Sequence, residues 1–268
     1  HMTVSFEFFP PNNGNVARVG DNLDKLLKFK PKFISVTFGA GGSAEDKSFE
    51  LIKELSSRST TKIVAHLTLV DKTKDRIARI TQQFRSLGIK TILAVRGDSP
   101  DKKYESPKDG FRETSNLVNY LKNQGFEVFV SAYAEPHPES PDIEYDLELL
   151  KEKVDAGATS AITQFCFDLD KLAELKNTLV RENVAVDLIP GVMPVRNIGN
   201  LKRMANRCAI NIPKDIATRF EVPEDEQRKV AFELAVQQVA ALEKVGFNSF
   251  HFYTLNQSSL MEDLLAAI

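Results

Sequence analysis

The feature that most constrains this chain is a repeated change of hydrophobic period. Eight short apolar runs, at 4–9, 33–37, 63–67, 91–95, 127–132, 160–164, 186–189 and 249–253, are rich in Val, Ile, Phe and Thr. Runs of that length read as strands buried on both faces, as in parallel sheets. Between them, apolar residues recur three and four apart over 21–30, 45–57, 73–87, 113–124, 143–156, 169–183 and 198–208, which predicts amphipathic helices. A further long helix, 224–245, precedes the last strand and is entered through VPEDE, whose proline and acids suit a first turn. Gly88, Gly125, Gly157 and Gly246 stand where helix-ending glycines belong. Eight strands alternating with helices in 268 residues predict an α/β fold, a (β/α)8 or TIM barrel. A doubly wound open sheet is the competitor, but it usually has fewer strands in this length.

No linker, low-complexity segment or internal repeat divides the chain, so one barrel over residues 1–268 is expected, with His1-Met2 reading as a tag remnant. The segment 100–110 reads as a mobile loop. No run of about 20 apolar residues occurs, which argues against a membrane-spanning helix. With no signal-peptide pattern and only Cys166 and Cys208, neither in a disulfide framework nor at metal-ligand spacing, a reducing cytoplasmic setting follows. A net charge of −2 without a basic stripe argues against a nucleic-acid partner. His66, His137 and His251 form no H-x-x-x-H pair, so no metal site is expected. Small molecules remain as the partners.

A barrel gathers its chemistry at the C-terminal ends of its strands. Those ends carry Glu7 in SFEFFPP; Thr37 before FGAGGS; His66 and Thr68; the RGD of Arg96, Gly97 and Asp98; YAEPHPE at 133–139; Gln164; PGVMP at 190–194; and Tyr253 with Asn256. From pattern alone Glu7 stays open between a solvent-facing strand residue and a site residue. Asp98 is equally open between a turn cap and a site. His66 and His251 first suggest satisfied core histidines, and Lys153, on a helix, a solvated charge. Gly39, Gly41 and Ala44 fit a loose G-x-G-x-x-A, but the next strand, KIVAHLT, lacks the acid that a dinucleotide fingerprint needs. Glycines there suit a close approach of backbone to a ligand.

SFEFFPP, KPKFISVTFGAGGS, AHLT, AVRGD, AYAEPHPE, KVDAGATSAITQFCFD, IPGVMPV and FHFYTLN together resemble the methylenetetrahydrofolate reductases, in the same order and over nearly the whole chain. The resemblance implies a barrel that binds FAD non-covalently and reduces 5,10-methylenetetrahydrofolate with NADH or NADPH, often as a homo-oligomer. It resembles the short bacterial form, without a C-terminal regulatory domain. It makes Glu7 the general acid and puts Asp98 beside the flavin's pyrimidine edge, facing the pterin. Gln164 would contact the folate. Thr37, His66, Arg96, Gly97, Tyr133, His137, Asp146 and Lys153 would join Asp98 in holding FAD. Two positions on the folate side depart from a bacterial relative: Met204 replaces Phe, and Asn200 replaces Gln. The alternatives are a flavin barrel acting on another one-carbon or pterin carrier, and a non-catalytic electron-transfer or scaffold subunit.

The implied chemistry explains the residue types. The folate's methylene bridge accepts hydride only after its ring opens to an N5 iminium, which requires a proton at N10. A glutamic acid near its ordinary pKa of about 4.3 is ionised at neutral pH. Burial among Phe6, Phe8 and Phe9 is therefore expected to raise the pKa of Glu7, while Asp98 stays ionised to stabilise the cation.

Overall fold

The computed structural model describes residues 1–39, 41–97, 107–137 and 139–268. Its strands are β1 (Thr3–Phe8), β2 (Ile34–Val36), β3 (Ile63–Thr68), β4 (Thr91–Val95), β5 (Glu127–Ala132), β6 (Ser160–Thr163), β7 (Asp187–Ile189), β8 (Gly191–Val192) and β9 (Ser249–Tyr253). All pair in parallel in the order β7-β6-β5-β4-β3-β2-β1-β9-β8. The two ends of that order, β7 and β8, are successive segments of one course of chain separated only by Pro190. The sheet therefore curls into a barrel of eight courses, as expected, with the seventh cut in two.

The cut has a local cause. Proline has no N–H for a ladder and is tolerated where pairing changes. Below it, β7 pairs with β6, Ile162 opposite Ile189; above it, β8 pairs with β9, Gly191 opposite His251. The Pro190 carbonyl accepts the His251 N–H at 3.0 Å. Gly191 is required by crowding. A Cβ there would lie 2.4 Å from the Thr163 carbonyl oxygen and 2.5 Å from the Tyr253 ring.

Ten α-helices surround the strands among the described residues: α1 (Val16–Leu26), α2 (Gly42–Arg58), α3 (Lys74–Ser86), α4 (Thr114–Asn123), α5 (Ile143–Ala156), α6 (Leu169–Arg181), α7 (Ile198–Cys208), α8 (Lys214–Arg219), α9 (Glu224–Lys244) and α10 (Ser259–Ala267). Side-chain oxygens of Asn15, Thr73, Asp142, Asp168 and Asn197 cap α1, α3, α5, α6 and α7 by accepting backbone N–H groups. The four expected glycines follow or cap the ends of α3, α4, α5 and α9. Helices α8 and α10 went unforeseen; each is too short to show a clear period. The expected loop at 100–110 lies outside the described residues up to 106. Asp98 lies outside them too.

Strand alternation sorts the core into two shells. Val4, Phe6 and Phe8 of β1 belong to the outer shell between sheet and helices, with Ile92 and Ala94 of β4 and Val128 and Val130 of β5. Phe33, Val64, Leu93, Phe129, Ile162 and Ile189 form the inner plug. A third cluster, including Phe165, Phe167, Leu201 and Phe220, packs α7, α8 and α9 against the ends of β6 and β8.

Candidate functional site

Glu7 shares no face with Phe6 or Phe8. Phe6 and Phe8 are fully buried in the outer shell, so Glu7, between them, turns inward. It lies opposite Ser35 of β2 and Tyr253 of β9. One layer below, His251 is buried with Nδ1 at 2.7 Å from the Ser5 hydroxyl and Nε2 at 3.2 Å from that of Ser35, its ring stacked on Phe33. Burial pushes His251 down to about 3, so this floor beneath Glu7 is polar but uncharged.

Glu7 Oε1 lies 3.5 Å from His66 Nε2, and both side chains are more than four-fifths buried. Burial raises Glu7 to about 8 and lowers His66 to about 4. At neutral pH the pair is a carboxylic acid beside a neutral imidazole. The expected elevation of Glu7 is present, but Phe6 and Phe8 are not its cause: they face the other way, and the closed barrel wall removes the water. Tyr253 completes that wall, donating its hydroxyl to the Thr163 carbonyl at 2.7 Å.

Around this pair the mouth is built from the predicted strand ends. Thr37 N–H donates to the Phe8 carbonyl at 3.2 Å. The β3–β4 pairing runs on past both strands, with Val70 N–H donating to Arg96 O at 2.9 Å. Gly97 follows at φ 88°. A Cβ there would stand 2.7 Å from Val70 Cγ1 and 2.9 Å from Thr68 Cβ, so only glycine lets the chain lie flush at this point. Arg96, just past β4, pairs with Glu139 in the connection that follows the neighbouring β5. Lys72, fully buried, donates from Nζ to Thr68 Oγ1 at 2.6 Å and is lowered to about 8 by burial.

On the far side, the Tyr133 and His137 rings meet edge-on, 5.0 Å apart. Asp146 is buried and fastens their loop, accepting from His137 N–H at 2.8 Å and from the Ser140 hydroxyl at 2.5 Å. Lys153 is no solvated charge. Its Nζ donates to the Ser131 carbonyl at 2.9 Å, and burial lowers it to about 8 against the raising effect of Asp146. A groove of about 460 Å³ opens here between α5 and α6, lined by Tyr133, Pro136, Asp146, Leu147 and Leu150 among others.

Gln164 folds back, its side-chain oxygen accepting from Phe165 N–H at 3.1 Å. Asn200 and Met204 lie four residues apart on α7; Asn200 accepts from Arg203, and Met204 packs on the cluster containing Phe165. The structure thus brings Glu7 and His66 together directly, and Tyr133, His137, Asp146 and Lys153 around one loop. Arg96 and Gly97 stand past the end of β4 and Thr37 past that of β2, with β3 between them. Among the described residues, no three His, Cys, Asp or Glu side chains cluster to hold a metal, and no helix is long and apolar enough to cross a membrane.

Sequence reasoning missed Lys72, Glu135 and Glu139. Glu135 and Glu139 sit inside YAEPHPE, and the only available signal was charge placed in an otherwise apolar and proline-bearing loop.

Comparison with known proteins gives a consistent picture. The family model described as methylenetetrahydrofolate reductase matches residues 1–268. A 5,10-methylenetetrahydrofolate reductase of Escherichia coli (strain K12) is 38% identical over 97% of this chain and 88% of its own length. One from Pectobacterium carotovorum subsp. carotovorum is 35% identical over 97% and 87%. Among solved structures, an uncharacterized protein from Clostridium thermocellum that binds two copies of 5-methyl-5,6,7,8-tetrahydrofolic acid superposes with a TM-score of 0.67 at 13% identity, covering 99% of this chain and 93% of that one. At that identity the likeness speaks for the barrel fold.

Proposed function

The chain belongs to the methylenetetrahydrofolate reductase family, and we propose that it reduces 5,10-methylenetetrahydrofolate to 5-methyltetrahydrofolate, with FAD bound at the barrel mouth and NADH or NADPH as the donor. The observation that carries the proposal is the inward-facing Glu7, protonated near neutral pH beside an uncharged His66. An acid with a pKa of about 8 can give up a proton at pH 7 and still be mostly loaded with it beforehand.

The residues present fit a flavin dinucleotide. The glycine bend at Gly97 seats the end of β4 flush on Thr68 and Val70 at the mouth, beside Arg96. Arg96 and Lys153 are cations available to a diphosphate, for which Arg96 would exchange Glu139. The groove beside Tyr133 and Asp146 has the size for an adenosine, and its mixed lining sets Leu147, Leu150 and Leu175 beside polar groups such as Asp146 and Lys171. When bound, the flavin supplies hydride transfer in turn from nicotinamide and to folate, which gives ping-pong kinetics.

The chain's own residues supply the proton and the charge. Glu7 protonates N10 of the folate, and the five-membered ring opens to the N5 iminium cation. His66, neutral at pH 7, places no positive charge against that cation. Asp98, ionised, stabilises it. Gln164, with Asn200 and Met204 on α7, holds the folate, Met204 packing on its aromatic ring. Tyr253 and the outer shell keep water from the acid.

Anaerobic reduction and reoxidation test the proposal in one cuvette. Purified protein is expected to be yellow, to bleach with NADH or NADPH, and to recover its colour with methylenetetrahydrofolate. Colourless protein to which FAD does not bind, or bleached protein that methylenetetrahydrofolate fails to reoxidise, would overturn it.

A further inference from the structure

We propose that Glu135 is a positioning residue that sets the folate-side helix α7 against the flavin-side loop of β5; the inference rests on the function proposed above. Glu135 lies between Tyr133 and His137 in the β5–α5 connection and is 8% exposed. Its Oε2 accepts the Asn211 N–H at 3.2 Å, and its Oε1 lies 3.5 Å from Cys166 Sγ. Cys166 stands two residues beyond Gln164, in the connection after β6. Asn211 stands three residues beyond the end of α7. There Ala209 turns left-handed at φ 54° and Ile210 N–H returns to the Ala205 carbonyl at 2.8 Å, delivering the Asn211 peptide to the carboxylate.

One carboxylate thus joins three connections at the mouth. The first carries Tyr133 and His137, the second follows Gln164, and the third anchors the helix bearing Asn200 and Met204. Its hydrogen-bonding partners among the described residues are a thiol and a peptide N–H, with no cation. A buried carboxylate costs more than a neutral residue of the same size, and packing alone does not call for one. What it adds is a short-range, directional hold on the Asn211 N–H, stronger than a neutral acceptor gives. Cys166 is screened by the same contact, and burial together with the Glu135 charge pushes its thiol up to about 12.

A purely structural stitch and a positioning one differ in what they spare. In Glu135→Ala, the KM for methylenetetrahydrofolate is expected to rise about tenfold, the scale of one lost hydrogen bond to a charged group. Flavin content and reduction by NAD(P)H should stay as in the wild type. Glu135→Gln keeps an acceptor for Asn211 N–H and should recover most of the KM. Independently of turnover, maleimide should label Cys166 and the Asn211 amide should exchange faster in Glu135→Ala, but not in Glu135→Gln. An unchanged folate KM, or equal loss in both half-reactions, overturns the positioning role. Unchanged labelling and exchange overturn the tie itself, and that readout stands even if wild-type protein does not turn over methylenetetrahydrofolate. Should Glu135→Ala fail to fold, Glu135→Asp, whose shorter side chain draws the carboxylate back from Asn211 N–H, decides the positioning role: a raised folate KM with flavin reduction intact supports it, and an unchanged KM or equal loss in both half-reactions refutes it.

Discussion

Replacing Glu7 by Gln should make the protein more stable above pH 6.5, and increasingly so up to pH 8. Folded Glu7 keeps its proton up to about 8, whereas the unfolded side chain releases it near 4.5. Stability contributed by the neutral carboxyl is whole below 4.5 and is lost as pH rises to 8, at about 1.4 kcal/mol per pH unit. The full loss is about 5 kcal/mol, of which about 3 kcal/mol has been incurred at pH 7. Glutamine has the same shape and does not titrate, so the difference between the two proteins isolates this group. Other perturbed groups, His251 at about 3 and Lys72 and Lys153 at about 8, are common to both. His66, lowered to about 4, is neutral in both above 6.5. The assay is urea unfolding of each protein at pH 6.5, 7, 7.5 and 8, with thermal midpoints alongside. For a chain this long, 1 kcal/mol corresponds to roughly 2–4 °C. A difference in unfolding free energy that does not change with pH would refute the buried, protonated Glu7.

The same Glu7→Gln protein should bind flavin and be reduced by NAD(P)H normally, while its reoxidation by methylenetetrahydrofolate falls by about 10²-fold or more in stopped flow. An intact folate half-reaction would remove Glu7 from the acid's role. Asp98→Asn should slow folate turnover far more than it lowers flavin content, read by flavin absorbance and steady-state rates. Gly191→Ala should destabilise by about 1–3 kcal/mol in urea unfolding, because its Cβ would meet the Thr163 carbonyl and the Tyr253 ring at 2.4 and 2.5 Å. Wild-type stability in that variant would mean the seventh course has room to spare.

The barrel was legible because its strands are covered on both sides. β4 is apolar but for Thr91, β6 is buried at every position, and the helices between show a clean three-four period. That same double coverage hid the direction of each side chain. In a one-sided sheet, the F-E-F alternation of Phe6, Glu7 and Phe8 would mark Glu7 as facing water. In a barrel it marks only that the acid and the phenylalanines lie on opposite sides of the wall. The break at Pro190 was visible as a residue but not as a change of partner, since pairing is not written in a three-residue run. Asp146 and Lys153 were found through the family resemblance, yet their tasks of holding His137 and Ser140 and of reaching Ser131 depend on contacts between elements. Glu135 was illegible for a related reason: local composition does not tell a buried carboxylate from an exposed one.

If the wall rather than the aromatic neighbours sets the acidity of Glu7, variants on its two sides should behave differently. Phe8 is fully buried in the outer shell, so Phe8→Leu should cost stability through lost packing but leave the acid's surroundings dry. Tyr253 lies opposite Glu7 on β9 and lines the interior, so Tyr253→Ala would open space beside the carboxyl that water can enter. Water restores solvation to the charged form and returns the pKa toward 4.5. The pH dependence of reoxidation by methylenetetrahydrofolate reads this directly. Wild type and Phe8→Leu should lose rate tenfold per unit only above about pH 8. In Tyr253→Ala the fall should begin at lower pH. A midpoint that moved in Phe8→Leu and stayed in Tyr253→Ala would return the control of Glu7 to its aromatic neighbours.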